Sequence, residues 1–248
     1  IKEGIIPLCL GDLLKKRKDT RNKAKQIDDE NKKKVLDGLQ LAYKVTANSV
    51  YGQMGAKTSG VCFKKIAACT TSIGRQRIYD ARDGVVEWAK SEGYNIPEVI
   101  YGDTDSVFVK FSRVHHETGE LLTGKSALQY CIDSGVKAGE WITKNKMNHP
   151  QDLEYEKTFH PFILISKKRY TGDKYELKSD KPKERTSMGI VTKRRDNAPI
   201  VKYIFGNVIE IIMNKRNIDL AITWLKESLQ KIVDKKMSKN MFIISKSL

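Results

Sequence analysis

The spacing of apolar positions divides the chain into helical and extended stretches. From Gly11 to Lys25 most residues are good helix formers, with no proline or β-branched run, and Pro7 lies just before, where a helix can start. Gln26 to Lys34 is polar and reads as an exposed connection. Val35, Leu36, Leu39, Ala42, Tyr43 and Val45 then form a helical stripe, while Lys44, Asn48 and Tyr51 share another face at i, i+4 and i+7, with Gly52 ending the run. Two helices on a short polar loop predict an antiparallel helical hairpin. Gln53 to Cys69 reads as a return segment. Ile73, Ile78, Ala81, Val85, Val86 and Ala89 predict an amphipathic helix over 70–90, and Leu128, Cys131, Ile132, Val136 and Trp141 another over 126–146.

The period shortens elsewhere. Val99-Ile100-Tyr101 and Val107-Phe108-Val109 flank Gly102-Asp103-Thr104-Asp105, the pattern of a β-hairpin with an acidic tip. Leu153 to Lys157 alternates as a strand would, and Phe162 to Ile165 reads as a buried strand running into Ser166-Lys167-Lys168-Arg169-Tyr170. Tyr175 to Lys183 reads as a turn region. Asn197-Ala198-Pro199 carries helix-start signals, with helices expected over 200–215 and 218–235, and Phe242 to Leu248 predicts a closing strand. Runs of helices set beside hairpins make the expected class α+β.

Composition narrows the function. The chain has 248 residues, enough for one or two domains, and a formal charge of +16. So basic a balance attracts polyanions, nucleic acid first and an acidic membrane surface second. No apolar run reaches the roughly 18 residues of a membrane span and no signal peptide is visible, so no membrane partner is expected. Cys9, Cys62, Cys69 and Cys131 lack the spacing of a zinc or redox pair and are expected reduced and buried, which suits an intracellular protein. The sequence opens on Ile1 and stops at Leu248 without terminal signals, and the expectation is a piece of a longer protein.

Asp103 and Asp105 stand at i and i+2 and can point to one side of a strand. Carboxylates so placed repel unless a cation sits between them or one is protonated. Mg²⁺ suits them, because it takes one or two protein carboxylates and completes its shell with water and phosphates. An isolated Asp-x-Asp more often only solvates a loop, so the rest of the chain decides. Arg17 and Arg21 share a helical face and present donor forks shaped for phosphate oxygens. Lys167, Lys168 and Arg169 add cations at a strand end.

The string Lys44-Val-Thr-Ala-Asn48-Ser49-Val-Tyr51-Gly52 resembles the Lys-x-x-x-Asn-Ser-x-Tyr-Gly fingers motif of family B DNA polymerases, and Tyr101-Gly-Asp-Thr-Asp-Ser106 resembles their palm motif with metal-binding aspartates. Lys167-Lys168-Arg169-Tyr170 resembles the family's motif near the primer terminus, and Gly189 to Asp196 its palm-to-thumb junction. The resemblance implies a right-hand fold: palm at 1–10, helical-hairpin fingers at 11–55, antiparallel palm sheet flanked by helices at 56–188, and a mostly helical partial thumb at 189–248. It implies template-directed DNA synthesis from dNTPs on primer-template DNA by two Mg²⁺ ions, with Mn²⁺ able to substitute. Asp105 is then the principal metal ligand, Asp103 a lesser member of the site and Glu156 an auxiliary ligand of the delta type. Arg17, Arg21, Lys44, Asn48 and Tyr51 would bind the nucleotide, Lys44 also protonating the leaving pyrophosphate. Gly52, Lys167, Lys168, Arg169, Tyr170, Arg194 and Arg195 would meet DNA.

The family's further palm aspartate lies in an Asp-x-x-Ser-Leu-Tyr-Pro-Ser string that does not occur here, so these residues alone are expected to be inactive. A sliding clamp and accessory subunits would engage other regions, in the nucleus or at a viral replication site. The closest subtype is delta-like, cellular or from a large DNA virus. The rivals are a metal-dependent glycosyltransferase, which leaves the fingers-like string unexplained, and a non-catalytic nucleic-acid-binding module. A reverse transcriptase would show adjacent aspartates.

Overall fold

The computed structural model describes residues 4–194 and 196–244, and these form six α-helices and two small antiparallel sheets, an α+β chain. It divides into two units, 1–76 and 77–248.

The first unit is built on helices α1 (Ile5–Lys25) and α2 (Glu30–Gly55), packed together across a short loop. Pro7 lies inside the first turn of α1, where its missing N–H has no intrahelical partner to lose. The second helix starts earlier than the apolar stripe predicts because Asp29 caps it. Its carboxylate accepts from the N–H groups of Asn31 and Lys32 at 2.9 and 3.2 Å, which satisfies two otherwise orphaned donors. Nor does Gly52 end it: the helix continues to Gly55, where the Ala56 N–H closes onto the Gly52 and Gln53 carbonyls. Few side chains of this unit are buried; Thr20, Ala24, Met54 and Ala67 are. Cys9, Cys62 and Cys69 are free and exposed, against the expectation of burial, since these helices enclose little interior.

Helix α3 (Lys64–Ser91) starts before position 70 and crosses from the first unit into the second. Only its second half has the expected buried face. Ala81, Val85, Trp88 and Ala89 are enclosed, whereas Ile73 is 47% exposed. In the second unit a hairpin of β1 (Glu98–Asp103) and β2 (Ser106–Lys110) precedes α4 (Gly124–Lys146). Ala138 of α4 packs with Trp88 and Ala89, and Ile132 and Ile142 are fully buried. A three-stranded sheet follows in the order β3 (Thr158–Ser166), β4 (Arg169–Tyr175) and β5 (Glu184–Met188). The chain closes on α5 (Pro199–Glu210), a π-helical turn over Ile211–Lys215, and α6 (Ile218–Val233).

Leu153 to Lys157 belongs to neither sheet, although it alternates. Its first residue is bonded to α4 instead: the Leu153 N–H donates to Thr143 Oγ1 at 2.8 Å and the Thr143 hydroxyl donates to the Leu153 carbonyl at 3.2 Å. Two α4 glycines permit this approach. A Cβ at Gly139 would lie 2.9 Å from the Leu153 oxygen, and one at Gly135 would lie 2.9 Å from the Tyr155 ring. At the far end Lys239–Phe242 is a 3₁₀ turn, not the start of a strand, and positions 245–248 lie outside the described residues.

Opposite signs are therefore expected for one substitution at two helical glycines. Gly38→Ala, with nothing within 4 Å of the new methyl, should raise stability by about 0.5–1 kcal/mol through helix propensity. Gly139→Ala should lower it by about 1–3 kcal/mol, because the obstacle is a backbone carbonyl that cannot turn aside. Urea unfolding of the two variants measures both.

Candidate active site

The turn between β1 and β2 is as tight as a hairpin allows. Asp103 pairs with Ser106, and Thr104 and Asp105 alone form the loop. The Asp105 N–H reaches the Asp103 carbonyl at 2.6 Å, and Thr104 is held at φ +55°, an unfavourable backbone angle for a β-branched residue. The Ser106 hydroxyl donates to the same Asp103 carbonyl at 3.2 Å. A strained, doubly tied turn fixes where both carboxylates stand.

Their surroundings differ sharply. Lys168 Nζ lies 2.8 Å from Asp103 Oδ1 and 2.9 Å from Oδ2. The Thr104 hydroxyl donates to Oδ1 at 3.0 Å and the Tyr101 hydroxyl to Oδ2 at 3.2 Å. The ammonium, first, and then the hydroxyls hold the Asp103 carboxyl below the usual carboxylate value, and Asp103 raises Lys168 in turn. Asp105 is exposed, and its carboxylate accepts no hydrogen bond and no ion pair among the described residues. It lines a cavity of about 860 Å³ whose wall also includes Phe108, Tyr155, Glu156, Phe159 and Arg216. Glu156 sits on the unpaired segment before β3, with Lys157 Nζ 2.7 Å from its Oε1. No group of three or more Asp, Glu, His or Cys able to hold a metal occurs among the described residues. An exposed carboxylate such as Asp105 is the kind of oxygen donor a hard cation takes, together with oxygens of water or phosphate.

Lys167 and Lys168 are the two-residue loop between β3 and β4, and Arg169 opens β4. Lys167 and Arg169 are exposed and have no acidic partner among the described residues. Tyr170 points the other way. It is 8% exposed, with its ring among Tyr101, Phe108, Phe159 and Phe162, and burial pushes its hydroxyl up. Arg194 has its fork on Asp196 at 2.8 and 3.1 Å, which holds that carboxyl down at about 2; Arg195 lies outside the described residues.

In the first unit, Arg17 Nε reaches Gln40 Oε1 of α2 at 3.5 Å, which sets the two helices level at that point. Arg21 lies one turn nearer the loop and Lys44 one turn further away, so about 12 Å of axis separates them. Arg17, Arg21 and Lys44 have no acidic partner among the described residues, and Lys44, Asn48, Tyr51 and Gly52 are exposed. Cations left unpaired on packed helices suit an elongated polyanion.

Sequence reasoning missed Tyr101. Its position two residues before Asp103 on a strand was a signal that the two share a face. The link to Lys168 had no local signal.

The profile of DNA polymerase family B matches residues 1–248. The DNA polymerase of Pyramimonas orientalis virus is 50% identical over 87% of this chain and 17% of its own length. The DNA polymerase delta catalytic subunit of Schizosaccharomyces pombe is 36% identical over 100% of this chain and 22% of its own. The DNA polymerase of Paramecium bursaria Chlorella virus NY2A is 34% identical over 99% and 26%. The chain spans about a fifth of the length of these curated relatives.

Asp103 should remain ionised at pH values where ordinary aspartates, near 3.8, have begun to protonate. Its folded value is depressed, so the stabilisation it contributes is present above the unfolded value and lost as pH falls through the folded one. A carboxyl-carbon NMR titration of metal-free protein checks this, with Asp103 among the late-protonating resonances, together with Asp196.

Proposed function

The chain belongs to DNA polymerase family B, and from that membership we propose that it supplies nucleotide-binding and metal-binding parts of a DNA-directed DNA polymerase used in replication. The observation that carries the reading is Asp105, a carboxylate without a partner among the described residues, held at a hairpin tip. In this reading 11–55 are the fingers, 56–188 palm and 189–248 the start of the thumb, with 1–10 the end of a preceding palm segment.

The reaction is attack by a primer 3′-hydroxyl on the α-phosphorus of a dNTP, in line with departing pyrophosphate. Arg17, Arg21 and Lys44 bind the triphosphate, their donors free of internal acids, with Asn48 adding a neutral one. Lys44 gives a proton to the leaving pyrophosphate, for which an ammonium among phosphates is a suitable acid. Tyr51 and Gly52 lie beside the nascent base pair, and the exposed Tyr51 ring limits room near the sugar. Lys167 and Arg169 hold backbone phosphates, contacts that position DNA without reading it. Asp105 holds Mg²⁺, which when bound stabilises the attacking and leaving oxygens.

The cavity beneath Asp105 supports a further element of the reading. β2 and β3 each have one unpaired edge among the described residues, and the apolar wall between them suits an extended strand. The family's second aspartate, on its Ser-Leu-Tyr-Pro-Ser segment, would enter there. As an isolated polypeptide, these 248 residues are therefore expected to extend no primer. The relatives are viral DNA polymerases and delta catalytic subunits, and in this reading the enzyme works at a nuclear or viral replication site, with clamp and accessory contacts elsewhere in the whole protein.

In the whole polymerase, Asp105→Asn should slow single-nucleotide extension by about a thousandfold or more, the loss expected when several kcal/mol of metal-derived stabilisation disappears, with DNA binding retained. Arg17→Ala should raise the KM for dNTP by roughly tenfold, one charge-assisted contact's worth, and Lys44→Ala should also lower kcat by about a hundredfold, since it removes the acid as well. Primer extension by Asp105→Asn at the parent rate would overturn the reading.

A further inference from the structure

Resting on the polymerase reading, we infer that Arg185 is a positioning residue for the grip on duplex DNA, a latch that joins the β4–β5 pair to the helix α5 that opens the thumb. Arg185 stands directly opposite Asp173 across the two strands. Its Nε lies 2.6 Å from Asp173 Oδ1 and its Nη2 3.1 Å from Oδ2, so the acid holds the guanidinium side-on. The rest of the fork leaves the sheet: Nη1 donates to Glu210 Oε1 at 2.6 Å and Nη2 to Asn214 Oδ1 at 2.8 Å. The Asn214 amide in turn donates to Glu210 Oε2 at 2.7 Å. Four of the five guanidinium donors are thus in use within the protein.

The place of these contacts gives them leverage. Side chains alternate along β4, so with Tyr170 among the aromatic rings, Thr171 and Asp173 share the opposite face, the one that meets α5. A cavity of about 360 Å³ opens between that face and the helix, lined by Thr171 and Ser187 on one side and Lys202, Gly206 and Asn207 on the other. Side chains do not fill this space, so the angle of the helix is set by the supports on either side of it. One is the 3₁₀ turn Val191–Lys193, packed against α5. The other is Arg185, at the C-terminal end of the helix, where the helix dipole favours a cation. Glu210 is the last residue of α5 and Asn214 lies in the π-helical turn after it, so one guanidinium spans the change of pitch. Wide turns of this kind recur at functional points of helices.

That placement has a use in the reaction. In the polymerase reading α5 opens the thumb, and β4 begins at Arg169, which with Lys167 holds backbone phosphates. Arg185 therefore fixes the thumb against the same strand that positions the DNA. It touches no reacting group, and the hairpin that carries Asp105 does not depend on it. Loosening the latch leaves the chemical step alone and lets the duplex go sooner.

The test uses the whole polymerase and its variants Arg185→Met, Glu210→Ala, the double variant, and Glu210→Gln. Glu210→Ala is the cleaner single change, because it leaves the Asp173–Arg185 pair of the sheet in place. Two rates are read: dissociation of a preformed primer-template complex into an excess of unlabelled DNA, and single-turnover incorporation at saturating dNTP. Arg185→Met and Glu210→Ala should each speed dissociation roughly tenfold, since changes within one interface fall mainly on the off-rate. Incorporation should stay within about twofold of the parent, as expected of groups that make no transition-state contact. The double variant should dissociate no faster than Arg185→Met, because both remove one connection. Glu210→Gln keeps an oxygen for Nη1 and should hold DNA longer than Glu210→Ala, a recovery that general loss of stability does not give. Parent-like dissociation of Glu210→Ala, multiplying effects in the double variant, or a loss confined to incorporation would each overturn the assignment. Asp105→Asn, run alongside, tests the polymerase reading separately: normal extension there sinks that reading whatever the Arg185 and Glu210 variants do.

Discussion

Two carboxylates two residues apart on a tight turn each raise the cost of ionising the other. The second unit meets that constraint by giving one of them everything and the other nothing. Asp103 receives four donor contacts, and Asp105 none among the described residues. Much local structure exists to make this asymmetry possible. The β3–β4 turn must stand over the hairpin, Lys168 must accept a left-handed backbone, and Gly189 must lack a side chain. Thr104 carries strain of the same kind. Charge-assisted hydrogen bonds, stronger than neutral ones, offset such costs.

The charge of +16 is likewise unevenly available. In the second unit many cations are neutralised internally: Lys110 by Glu98, Lys146 by Glu87, Lys183 by Glu176, and Arg185 by Asp173 and Glu210. On α1 and α2 the ion pairs among the described residues are Lys16 with Asp12 and Lys32 with Asp29, and Arg17, Arg21 and Lys44 are in neither. Like charges on a packed helical hairpin with little buried surface are a standing cost to that unit. An anion lying against them would relieve it.

The hairpin and the major helices were legible because their signals are local: a period of two around turn residues, or a period near 3.6 over several turns. Part of what failed was decided at a distance. Leu153 to Lys157 alternates like a strand, but glycines on α4 let it lie against that helix, where Thr143 takes the Leu153 backbone bonds. Asp29 is a helix start in plain view, hidden only by the polar residues around it. Strand β5 has no apolar run, since its register against β4 is set by neighbours. At the site, the residue types were readable and their states were not. Nothing near Asp103 reveals that a lysine 65 positions on will saturate it. Arg194 read as a free cation until Asp196, two residues away, proved to hold its fork.

The basic string after β3 shows why a motif can look like a surface and be partly a core. Side chains alternate along a strand, so with Tyr170 turned into the aromatic cluster, Arg169 must face out. Ser166 opposite Arg169 then leaves Lys167 and Lys168 as the loop, and only the second of them falls where the Tyr101 hydroxyl and Asp103 can bind it. A slip of one residue would expose the tyrosine, bury an arginine and move Lys168 off Asp103. Tyr170 thus sets the register of the cations around it. Its burial and the placement of Lys168 are two ends of one constraint, and the aromatic core is as much a part of the site as the charges.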